Sequence, residues 1–144
     1  MRKNTKTSLA PLDAGSLRPR SLKEVALRGN AQGGIDDFLR EFMDEFYAEP
    51  STQQRAQMLA DEPPLSDNPR LNAYLAAVAE HLAFCYRLDV PAWVGGAERF
   101  LARPFFPAGL ESLKATLLVE SPVAFRRRMI FVGADPLYRP RKVA

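Results

Sequence analysis

Three adjacent arginines, Arg126, Arg127 and Arg128, are the densest chemistry in this chain. A guanidinium is a planar fork of donors that binds carboxylate or phosphate bidentately, so the triplet is a candidate anion- or carboxylate-binding edge. Three consecutive helical positions point about 100° apart and cannot share one face. The competing structural expectation is that Arg126 and Arg127 stay in water while Arg128 snorkels over apolar surface or pairs with a carboxylate at the edge of the core. A second group is acidic: Asp36, Asp37, Glu41, Asp44 and Glu45 fall opposite an apolar stripe. Such a face is either simply solvated or set against a basic patch on a partner. A third is aromatic: Trp93 and Phe105-Phe106 sit beside prolines, where they either finish a small core or anchor an interface. A fourth is His81 with Cys85 one turn later, a geometry within reach of a thiol–imidazole pair, although Cys85 falls on a stripe expected to be buried.

The residue types set limits. One histidine and one cysteine leave no multi-histidine metal site and no intramolecular disulfide, and a zinc site needs about four ligands. Neither Gly33-Gly34 nor Gly95-Gly96 has the pattern of a phosphate-cradling loop. No nucleophile–base constellation accompanies the carboxylates, so no enzyme, metal or cofactor is expected. No apolar run approaches the length of a membrane span, and no secretory signal follows the basic start, so a cytoplasmic protein without membrane contact is expected.

Charge is segregated. Residues 1–20 carry five basic residues against Asp13, residues 36–67 carry nine acidic residues against Arg40 and Arg55, and residues 126–144 carry six basic residues against Asp135. Basic ends around an acidic middle argue against a simple nucleic-acid binder, which gathers positive charge on one face. They favour charged partner surfaces. Binding of DNA through the basic termini, as in a transcriptional regulator, remains the alternative, with a non-enzymatic adaptor beside it.

The elements that must position these groups read as helices. Ser21-Leu22-Lys23-Glu24 matches a capping box and starts a helix over roughly 21–28, stopping near Gly29-Asn30. Ile35, Phe38, Leu39, Phe42, Met43, Phe46 and Tyr47 recur at helical spacing over roughly 34–48. Shorter helices are expected over 52–60, 95–102, 108–119 (on Leu110, Leu113, Leu117 and Leu118) and 122–128. Asn68-Pro69 opens the longest, 69–87, burying Leu71, Tyr74, Leu75, Val78, Leu82 and Cys85. Met129–Val132 reads as extended or as a buried continuation. The expectation is an all-α fold, a compact bundle of five to seven short helices. It comprises a flexible basic leader (1–20), one helical domain (21–138) and a loose basic tail (139–144).

Residues 88–138 also resemble a small bacterial family. The features that carry the resemblance are Pro91-Ala92-Trp93, Phe105-Phe106-Pro107, Asp135-Pro136-Leu137 and the run from Leu117 to Val132. That run holds Ser121-Pro122, Phe125-Arg126-Arg127-Arg128 and Ile130-Phe131-Val132 in order. The family resembled is that of antitoxin-like proteins encoded beside nucleotidyltransferase-like toxins of the abortive-infection type. The resemblance implies a non-catalytic member of a toxin-antitoxin system that neutralises its cognate toxin by direct protein–protein contact. Arg126, Arg127 and Arg128 would then be partner-binding, with Trp93 and Phe105 as apolar anchors. Asp37, Glu41 and Asp44 would compete for the toxin's basic substrate site. Some relatives carry a helix-turn-helix DNA-binding domain; none is legible here.

Overall fold

The computed structural model describes residues 17–109 and 114–140. The described residues form an all-α fold: α1 (Leu22–Gln32), α2 (Ile35–Ala48), α3 (Thr52–Ala60), α4 (Pro69–Cys85), two 3-10 turns (Ala92–Gly95 and Ala97–Arg99), α5 (Lys114–Glu120) and α6 (Val123–Arg126). Most of residues 1–20, the expected positions Leu110 and Leu113, and residues 141–144 lie outside the described residues.

Side-chain caps explain the starts of α1, α3 and α4. Ser21 accepts from the Glu24 amide at 3.1 Å, and the Glu24 carboxylate reaches back to the Arg20 amide at 2.8 Å. This is a capping box shifted by one residue. Ser51 caps α3 through the Gln54 amide. Asn68 caps α4 through the amides of Arg70 and Leu71. At its far end α2 is closed by Arg55, whose guanidinium donates to the carbonyls of Phe46 and Tyr47, both at 3.1 Å, and lies 4.4 Å over the Tyr86 ring.

α4 is the centre of the molecule. Leu75 through Ala79 are all buried. Five consecutive helical positions cover every direction around the axis, so α4 is enclosed over this stretch. Its alanines bring neighbouring elements close: α3, α6 and both 3-10 turns pack on it. Phe42, Met43 and Phe46 of α2 and Leu22, Val25 and Ala26 of α1 extend the same core. After α6 the backbone turns through Met129, in a left-handed conformation (φ 66°). Ile130 then makes an isolated parallel bridge with Phe105, so the extended reading fits Ile130 while Met129 belongs to the turn. The Ser-Pro step has a packing reason. The buried Ser121 hydroxyl donates to the Leu117 carbonyl at 2.6 Å and accepts from the Val132 amide at 2.8 Å, tying the end of α5 to the segment that follows α6.

Several expectations need correction. α1 continues past Gly29 to Gln32. A Cβ on Gly29 would meet Ile35 at 2.8 Å, so this glycine serves a close helix approach rather than a stop. The actual turn is made by Gly33 and Gly34, both at positive φ. The helix expected over 95–102 is replaced by the two 3-10 turns, with two glycines at their junction. Cys85, placed on the buried stripe, is exposed: at the last turn of α4 it faces the groove it lines with His81 and Phe84. Of the basic leader and tail, residues 17–20 and 139–140 are described. Pro19 is buried, Leu137 belongs to the core, and the Tyr47 hydroxyl donates to the Leu137 carbonyl at 2.9 Å.

Candidate functional site

The arginine triplet splits into three environments. Arg128 is fully buried. Its guanidinium donates to the carbonyls of Ala124 and Val94, each at 2.8 Å, and sits 2.8 Å from the Glu80 carboxylate. Phe100 lies against it at 4.6 Å. Arg127 is half-exposed and grips the same Glu80 bidentately, Nε at 2.9 Å and Nη2 at 3.0 Å. Arg126 points to the surface beside the Val119 carbonyl. Glu80 therefore holds the end of α6 onto α4 with two guanidinium groups. Burial pushes its carboxyl up, and hydrogen bonds and charge from Arg127 and Arg128 outweigh that, leaving it below the ordinary carboxylate value. Arg128 has no surface to offer a partner.

The charge asymmetry also closes within the chain. Asp44 takes Arg139 at 2.9 Å and Arg18 at 3.5 Å, while Arg20 reaches Glu45 at 3.0 Å and Glu49 at 2.8 Å. Arg18, Arg20 and Arg139 thus lie across the C-terminal half of the acidic α2 face. Asp37 pairs with Arg40 one turn on, and Glu41 is half-buried. Trp93 spends its indole N–H on the Leu59 carbonyl at 3.0 Å, and Phe105 is covered by the Arg70 guanidinium at 4.4 Å. The sequence candidates therefore do not assemble into a single surface.

A surface does assemble where only part of it was foreseen. At the C-terminal end of α4, Phe84 is 81% exposed, and Val90 and Val123 are 52% and 61% exposed. They share a cavity of about 850 Å³ with Leu88, Pro122 and Ala124. Exposed apolar side chains scattered singly need no explanation; here three line one groove, which makes it the candidate site. Leu118 and Val119, also exposed, lie just before Pro122 on the chain. Glu80, held by Arg127, is among the groove's polar lining residues. The signal missed in the sequence was Phe84, which breaks the run of small and buried residues on α4 from the outward side.

His81 and Cys85 line the same groove, with Sγ 3.6 Å from Nε2 and 3.9 Å from Nδ1. The imidazole packs edge-on against Phe125. Burial lowers the imidazole's pKa and, with a smaller push from Asp135, raises that of the thiol. Both shifts favour the uncharged forms, opposite to a thiolate–imidazolium pair. Among the described residues no group of three or more His, Cys, Asp or Glu could hold a metal ion, and no helix is long and apolar enough to cross a membrane.

No protein-family model, curated protein or solved structure matches this chain.

Proposed function

We propose that this chain is an antitoxin-like binding protein that captures a nucleotidyltransferase-like toxin by direct contact and blocks it sterically, in the cytoplasm and without catalysis of its own. The observation that carries the reading is the origin of the groove's second wall. Pro122, Val123 and Ala124 come from the middle of the run whose residues resemble the antitoxin-like family. In this reading Phe84, Val90 and Val123 are the apolar anchors, and Glu80, His81 and Arg87 supply the groove's polar lining, an arrangement of apolar centre and charged edge common to specific interfaces. The nucleic-acid alternative is less well supported, because Arg18, Arg20 and Arg139 already neutralise carboxylates of α2.

The test is co-expression with the neighbouring gene product, followed by affinity purification and a growth assay. Co-purification with restored growth supports direct neutralisation. Restored growth with no complex contradicts the direct mechanism, and neither effect in a folded chain overturns the reading.

A further inference from the structure

A second cavity, of about 640 Å³, lies between the N-terminal half of α2 and the first turns of α4. It is separate from the groove at the other end of α4 and does not depend on the toxin-binding reading. Its volume falls in the range of about 300–1,000 Å³ usual for small-molecule sites. Met43, Leu75 and Leu137 contribute buried apolar side chains to its lining. Tyr74 and Phe105 add aromatic surface, and Tyr138, 67% exposed, lies at its edge.

The polar lining is unequal. Arg40, Arg70 and Arg139 face a single carboxylate, Asp36. Arg40 is paired with Asp37 and Arg139 with Asp44. The Arg70 guanidinium differs from both. It stacks on the Phe105 ring at 4.4 Å, and among the described residues no hydrogen bond or ion pair engages it. Contact with the ring restrains the guanidinium and leaves its N–H donors available, which lowers the ordering cost of binding a planar or tetrahedral oxyanion.

We infer that this cleft binds a small aromatic oxyanion, its ring on the apolar and aromatic lining and its carboxylate or phosphate group on the Arg70 fork. A charge-assisted hydrogen bond contributes about 1.5–3 kcal/mol, so the anionic group accounts for roughly a tenfold to hundredfold gain in affinity.

The full chain is titrated by NMR and calorimetry with adenosine 5′-monophosphate and indole-3-acetate, each beside its neutral counterpart, adenosine and indole-3-ethanol. One of the two anions is expected to saturate the site and to bind at least about tenfold more tightly than its counterpart. Arg70→Gln, a substitution at an exposed position, should abolish that difference while the chain remains folded, and Tyr138→Ala should weaken the anion and its counterpart alike. Preference for the nucleotide assigns phosphate; preference for the indole acid assigns carboxylate. Failure of both anions to saturate below about 1 mM, or binding unchanged in Arg70→Gln, overturns the inference.

Discussion

The Glu80 carboxylate lies 2.8 Å from the guanidinium of Arg128, a side chain with no exposed surface. Removing one partner of a buried pair strands the other charge and costs about 3–5 kcal/mol, whereas replacing both by apolar groups is often neutral. Glu80→Ala should therefore destabilise the chain by that amount in urea unfolding. Glu80→Leu combined with Arg128→Met should recover part of the loss, the remainder being the Ala124 and Val94 carbonyls left without their donor. A double variant less stable than Glu80→Ala would contradict a stranded charge as the main cost.

The same carboxylate and His81 set an acid dependence. Glu80 ionises more readily folded than unfolded, so its contribution is present above the ordinary carboxylate value and lost as pH falls through the lower folded value. Burial, only partly offset by Asp135, makes the His81 imidazole harder to protonate when folded. Its penalty accordingly begins as pH drops below the usual 6.5 and stops growing below the folded value. Stability should decline in two stages on acidification, the first absent in His81→Phe. NMR of the His81 ring should give a midpoint below 6.5; a midpoint above it would contradict the burial argument.

Asp44 joins the two chain ends through Arg18 and Arg139. Exposed ion pairs contribute about 0.2–1 kcal/mol each and weaken with salt. Asp44→Asn should cost on the order of 1 kcal/mol while increasing hydrogen exchange at Leu137–Arg139, and high salt should produce a similar increase in the unsubstituted chain. Unchanged exchange would leave the Tyr47–Leu137 contact alone as the anchor.

Gly29 tests a close approach. In most helices Gly→Ala stabilises by up to about 1 kcal/mol. Here the added methyl would lie 2.8 Å from Ile35 Cβ, and overpacking costs about 1–3 kcal/mol. Gly29→Ala should destabilise, and Ile35→Ala should cost less in the Gly29→Ala background than alone. A stabilising Gly29→Ala would show that α1 and α2 separate freely.

The sequence carried α2, α3 and α4 nearly to the residue because their caps and stripes are local. Asn68-Pro69 and the Ser51 cap depend on neighbours two or three positions away. Pairing of Arg128 with a core-edge carboxylate was one of the readings the triplet offered, but the partner was not legible, because Glu80 lies far back on another helix. Cys85 misled for a related reason. Periodicity tells which side of a helix faces inward but not where the covering elements end. The groove was half legible: its Pro122–Ala124 wall stands in the run that the arginine triplet singles out, while Phe84 becomes informative only when Val90 and Val123 are brought beside it.

The most direct measurement is binding of the purified chain to the purified neighbouring gene product, comparing the unsubstituted protein with Phe84→Asp/Val123→Asp. Both substituted positions are exposed, so the fold should persist, as circular dichroism would verify. An interface anchor contributes at least about 2 kcal/mol. The double variant should therefore lose more than about a hundredfold in affinity and fail to restore growth. Full affinity in the folded double variant would contradict the groove as the toxin-binding surface.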